Sequence, residues 1–134
     1  MSSPEANVET AKAGIEAFNR RDMDAMLELS SSDFEYDWTR SRGLYAGVYR
    51  GTEGFREFTQ EQWDVFEEFH IEAHEFMPCG DRHVVVTTTV RATGRGGVPV
   101  SAASTNLYEF AEDGKVVRIT LFQERDEAVA AASE

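Results

Sequence analysis

The sequence has one cysteine, three prolines and few basic residues, and each scarcity excludes something. Cys79 cannot pair within the chain and sits in a Pro-Cys-Gly-Asp stretch that reads as a turn, so a disulfide framework and a cysteine zinc site are both ruled out. A reducing, cytoplasmic setting is expected. No segment approaches the ~20 apolar residues that a membrane-spanning helix needs, and the opening Met-Ser-Ser-Pro-Glu has neither the basic start nor the apolar run of an export signal. The expectation is a soluble chain, neither exported nor membrane-bound. Thirteen Lys and Arg face twenty-five Asp and Glu, a formal charge of −12 that repels phosphate backbones and anionic lipid alike. Nucleic acid and membrane are therefore not expected as partners. The acids are scattered over the chain without forming a block, as on a solvated surface.

What is present is material for one core: 134 residues with 41% hydrophobic content suit a single domain, spanning residues 1–134, without staples. Ser3, Pro4 and Glu5 read as an N-cap, a first-turn proline and a dipole-complementing acid, after which Val8, Ala11, Ile15 and Phe18 recur at helical spacing. Asp22 caps a short second helix carrying Met26 and Leu29, with Ser30 to Asp33 closing it. Phe34, Tyr36 and Trp38 then alternate with Glu35 and Asp37, the period of a half-buried strand. A loop from Arg40 to Gly51 leads to Thr52, the expected cap of a third helix with Phe55, Phe58, Gln62, Val65, Phe66 and Phe69 on one face. Strands are expected over 71–77, 84–93, 98–110 and 116–123, joined by glycine-containing turns, with a short helix or frayed tail over 125–134. Helices first and a meander afterwards predict an α+β fold, three helices on one face of a curved, mostly antiparallel sheet.

That order of elements resembles the SnoaL-like, nuclear-transport-factor-2-like group, a cystatin-like cone, and most of all its uncharacterised bacterial members. The resemblance spans about residue 5 to the mid-120s. It is carried by the 36–42 segment Tyr-Asp-Trp-Thr-Arg-Ser-Arg, the Gly47-Val-Tyr-Arg-Gly51 segment leading into Thr52, the 63–69 helix end and the Asp113-Gly-Lys-Val116 turn. It implies a ligand-sized pocket but no one activity, because polyketide cyclases, steroid isomerases, epoxide hydrolases, dehydratases and noncatalytic domains share the fold. The ketosteroid isomerases place a tyrosine on the first helix, a base aspartate ending the first strand and a second acid on a later strand. Carried onto this chain, the tyrosine position falls on Gly14, the second acid on Asn106, and the base on Trp38 or, slid by one residue, on Asp37. A slip of one residue reverses the face to which a side chain points, so Asp37 is either an inward base or an outward acid paired with Arg40 or Arg42.

Within that frame Ser104, Asn106 and Tyr108 interrupt an apolar strand stripe and are candidates for lining the pocket, as is Gln123 at the end of the last strand. Tyr36, Trp38, Trp63 and Phe66 supply aromatic wall. Asp37 is the candidate general base and Asn106 the candidate polarising donor, both catalytic if the protein is an enzyme. His70, Glu72 and His74 have the spacing of a metal site on a strand, but Phe69, Ile71 and Ala73 claim the inward face, so no metal is expected. The expected role is a cofactor-free isomerase, cyclase or hydrolase acting on an apolar oxygenated metabolite; the alternative is a noncatalytic ligand-binding or association domain. A homodimer through the exposed sheet face at Val85, Thr87, Thr89 and Thr105 is expected in either case.

Overall fold

The computed structural model describes residues 3–41 and 46–133. Helix α1 runs Pro4–Asn19; Ser3 caps it, its hydroxyl accepting from the Ala6 amide at 3.2 Å, and Pro4 takes the first turn, where no amide is missed. Asn7, Ala11, Ile15 and Phe18 form its buried face. Helix α2, Met23–Glu28, is capped by Asp22, whose carboxylate accepts from Ala25 at 3.1 Å. The strands are β1 Ser30–Asp37, β2 Val48–Arg50, β3 Phe66–Cys79, β4 His83–Gly94, β5 Pro99–Phe110 and β6 Val116–Phe122. Helix α3 is Gly51–Val65 and helix α4 Arg125–Ala132.

The six strands form one mixed sheet in the order β2-β1-β6-β5-β4-β3. Every neighbouring pair is antiparallel except β1 with β6. β3 to β6 are thus the expected meander, and the parallel β1–β6 pairing brings the first strand back beside the last. Helices α1 and α3 lie on the inner face, where Ala11, Ile15, Phe18, Phe55 and Trp63 pack on Phe34, Val84, Val86, Phe110 and Ile119. Phe34, Phe55 and Phe110 are at most 3% exposed, and each such ring stabilises the fold by about 2–3 kcal/mol. A smaller cluster lies on the opposite face, where Ala128 of α4 covers Val85, Leu107 and Phe122.

Four details differ from expectation. Ser30 to Asp33 do not close a helix but begin β1, which reaches Ser30 by an irregularity in its pairing with β6 between Ser30 and Glu35. Val48–Arg50, expected as loop, is a short edge strand paired with Glu35 to Asp37. α3 starts at Gly51 (φ 72°), with Arg50 at the cap position and no side-chain cap, so Thr52 does not cap it. It also stops at Val65, because Phe66 has extended backbone (φ −108°, ψ 133°); Val65 is 42% exposed, and Thr59 and Trp63 fill the buried face instead. The N-terminal end of β5 runs past the helices, which leaves Val98 and Val100 exposed. Val85 is fully buried beneath α4 and Thr105 is 5% exposed, so half of the expected dimer surface is covered within the chain. No helix among the described residues is long and apolar enough to cross a membrane.

Candidate functional site

Strand alternation decides which side chains reach the space between the helices and the sheet. On β1, Phe34 and Tyr36 point inward and Trp38 follows them just past the strand end; Phe34 meets Tyr36 edge-on at 5.1 Å. On α3, Phe58 and Gln62 stand one turn apart on the same face. Phe58 packs on Tyr36 at 5.0 Å and on Trp38 at 4.8 Å. On β5, Ser104, Asn106 and Tyr108 share a face at two-residue spacing, with Thr88 of β4 opposite Ser104. Together with Ile15, Phe18, Phe69, Ile71 and Val90 these groups, Phe34 apart, line a cavity of about 50 Å³.

Among the described residues, the polar groups that line this cavity are all uncharged. The Thr88 and Ser104 hydroxyls share a hydrogen bond of 2.9 Å. Gln62, Asn106 and the hydroxyls of Tyr36 and Tyr108 make no hydrogen bond to the protein among the described residues. These amides and hydroxyls line the cavity with no protein partner among the described residues, so they stand ready for a ligand or water. Burial pushes the Tyr36 phenol above its ordinary ionisation range. Burial does the same at Tyr108, reinforced by repulsion from Tyr36. Both are therefore neutral hydroxyl donors at physiological pH. The Trp38 ring lines the cavity, and its buried Nε1–H has no acceptor among the described residues.

Asp37 is not in the cavity. Alternation turns it to the outer face, where its Oδ1 accepts from the Thr39 amide at 3.1 Å and the Thr39 hydroxyl at 2.7 Å, and Arg40 approaches Oδ2 at 3.8 Å. Partial burial alone would raise its pKa, but the Thr39 hydrogen bonds, with Arg40 and Arg118, outweigh it and hold the carboxyl below its ordinary value. That is the reverse of what a general base at neutral pH needs, and the inward alternative for Asp37 is withdrawn. Arg42, the other proposed partner, lies outside the described residues.

Of the expected lining residues, Tyr36, Trp38, Ser104, Asn106 and Tyr108 are brought together, and Gln123, Trp63 and Phe66 are not. Gln123 is a satisfied strand end, its Nε2 donating to the Arg40 carbonyl at 2.7 Å. Trp63 is 5% exposed and sits in the core against Phe18 at 5.6 Å, its Nε1 also unpaired. Phe66 leaves the helical face when α3 ends and packs on Phe69 at 5.3 Å. Gln62 is the site residue that sequence reasoning left in the core stripe. Its signal was an amide among phenylalanines, seven residues after Phe55 and four after Phe58. His70, Glu72 and His74 are exposed: Glu72 pairs with Arg91 at 3.1 Å and His74 Nε2 meets the Thr89 hydroxyl at 2.7 Å. No cluster of potential metal ligands occurs among the described residues.

The sequence profile of the SnoaL-like domain matches residues 11–119. Among solved structures, Bal32a from a soil-derived mobile gene cassette is similar, with a TM-score of 0.81, 24% identity and 89% of each chain covered. TerC, co-crystallised with polyporic acid, has a TM-score of 0.75 and 23% identity over 96% of this chain and 99% of its own. An uncharacterised cystatin-fold protein from Novosphingobium aromaticivorans has a TM-score of 0.72 and 25% identity over 91% of this chain and 98% of its own. At such identities the likeness is one of fold, and the fold is the cystatin-like, nuclear-transport-factor-2-like cone. No curated protein matches the sequence.

Proposed function

The chain belongs to the SnoaL-like domain family, and from that premise we propose that it binds a small, uncharged, oxygen-bearing ring compound in the cavity beneath α1 and α3. One observation carries this reading: the cavity offers free amides and neutral phenols on aromatic walls, and among the described residues no carboxylate, imidazole or cation lines it. Burying an ionised ligand there without a counter-charge is strongly unfavourable, whereas a carbonyl or hydroxyl finds partners at Gln62, Asn106, Tyr36 and Tyr108. The described lining residues can polarise a carbonyl, and none of them can remove a proton from carbon at neutral pH. Binding is therefore favoured over the general-base isomerase, cyclase or hydrolase chemistry assigned to Asp37. The co-crystallisation of TerC with polyporic acid supports a small-molecule role for this fold. A free, half-buried Cys79 accords with residence in the cytoplasm.

The test is a tryptophan-fluorescence titration near neutral pH with para-hydroxyphenyl methyl ketone and with para-hydroxybenzoate, alike in size but neutral and anionic. The neutral ketone should bind and the benzoate should bind at least about tenfold more weakly, a difference of roughly 1.4 kcal/mol. Equal affinity, or a preference for the anion, would sink the reading.

We also propose a homodimer through the part of the outer sheet face that α4 leaves open, where Thr87 and Thr89 adjoin the exposed Ser101 and Ala103. A sedimentation run that finds only a 15.0 kDa species at micromolar concentration would refute it.

A further inference from the structure

A second void of about 40 Å³ adjoins the first, between α1, α2, β1 and β6. The two share five walls, Ile15, Phe18, Tyr36, Ile71 and Tyr108, so these side chains, the two tyrosines among them, stand between two chambers rather than at the end of one. At about 50 and 40 Å³ both chambers are small, so a ligand longer than the ring proposed above has to extend from the first into the second. No hydrogen bond pins either tyrosine hydroxyl among the described residues, so displacing a ring breaks no polar contact.

Gly14 is the unexplained wall of the second chamber. Glycine weakens a helix interior relative to alanine, and α1 has no conformational need for it, since Gly14 is not among the residues with positive φ. Close packing does not demand it either: a Cβ there would meet only the flexible end of Leu29, at 4.0 Å. What the glycine supplies is room. The surroundings of that room are mostly hydrocarbon, with Met26, Leu29, Val116 and Ile119 around it; Thr10 and Ser30 add hydroxyls, and that of Ser30 is already committed to the Met26 carbonyl at 3.0 Å.

We propose that the ligand has two parts, a polar ring held by Gln62 and Asn106 and a short hydrocarbon tail passing between Tyr36 and Tyr108 into the chamber that Gly14 keeps open. This rests on the binding role proposed above and adds to it the shape of the ligand and the residue that sets tail length. Tail methylenes entering a dry apolar chamber should tighten binding by about three- to fourfold each until the space is full.

The experiment measures Kd for para-hydroxyphenyl alkyl ketones from methyl to hexyl, on the wild type and on Gly14→Leu, with Gly14→Ala as the milder variant in case leucine disturbs the fold. The wild type should show the chain-length gain. Gly14→Leu should abolish it while keeping the affinity for the methyl ketone within twofold, and Gly14→Ala should reduce it. An undiminished gain in both variants, or a flat series in the wild type, overturns the tail chamber and leaves the ring site standing. If the wild type binds no ketone at all, the binding role itself has failed and the chamber falls with it.

Discussion

The side chain of Asn19 completes the backbone of Ile71 in both directions: its Nδ2 donates to the Ile71 carbonyl at 2.9 Å and its Oδ1 accepts from the Ile71 amide at 2.8 Å. β3 is an edge strand whose far side has no neighbour, and here a carboxamide at the end of α1 imitates one. Because Ile71 lines both chambers, this pair fixes the cavity wall as well as the helix. Asn19→Ala leaves two part-buried backbone groups without partners and should cost about 1–3 kcal/mol, read as a lower urea midpoint with an unchanged m-value. Asn19→Asp keeps the acceptor, loses the donor and sets a carboxylate against the Ile71 carbonyl, so it should destabilise at least as much.

Arg21 poses a contrast between strain and contact. Among the described residues it is the one non-glycine residue with positive φ, 57°, and from that turn its guanidinium donates to the carbonyls of Trp63, Phe66 and Glu67 at 3.2–3.3 Å. The clamp holds the junction of α3 and β3 to the α1–α2 turn. Arg21→Ala loses the bonds and keeps the left-handed backbone, whereas Arg21→Gly loses the bonds and relieves it. Thermal unfolding should rank wild type above both, with Arg21→Gly about 1 kcal/mol more stable than Arg21→Ala. The reverse order between the two variants would mean that the turn is not strained.

How much of this was legible in the sequence depended on whether local chemistry or tertiary pairing decided the matter. The caps at Ser3 and Asp22 and the period-two stripe at Ser104, Asn106 and Tyr108 are local, and all three emerged as read. β2 was hidden because Val48–Arg50 is too short to show a period and exists through its pairing with β1. Phe66 and Phe69 continue the helical spacing of Phe55 and Phe58, so periodicity could not mark the switch to strand at Val65. Gln123 matched the inward pattern of β6 but lies at its end, where the Arg40 carbonyl captures it. Whether Asp37 or Trp38 faced inward turned on one residue of register, which the pairing of Tyr36 with Tyr49 and Ile119 settles.

The register gives a prediction about the site. Asp37→Asn should leave the affinity for the neutral ketone unchanged, because the carboxylate is outside the cavity; its low pKa in the fold adds a little stability at neutral pH that disappears as the pH falls through the carboxylate range. Asn106→Leu and Gln62→Leu remove the amides themselves and should each weaken binding about 5- to 30-fold, near 1–2 kcal/mol per lost hydrogen bond. Isothermal titration of the three variants separates these outcomes, and a loss of affinity in Asp37→Asn as large as in Asn106→Leu would contradict the placement of the site.

The tyrosine pair should also set the alkaline limit of the fold. In the unfolded chain Tyr36 and Tyr108 ionise near their ordinary value of about 10, but in the fold burial raises both. A group whose pKa is higher folded than unfolded leaves stability whole below the unfolded value and removes it as pH rises above, since only the unfolded chain then releases the proton. Stability measured by urea unfolding should therefore be insensitive to these two groups up to about pH 9 and fall steeply beyond about pH 10. Tyr36→Phe and Tyr108→Phe lack the ionising hydroxyl, so each should show a shallower alkaline decline, and the double variant the shallowest. If the slope between about pH 10 and 11 is the same in all four proteins, the fold does not raise the two phenols, and their burial in the cavity wall is contradicted.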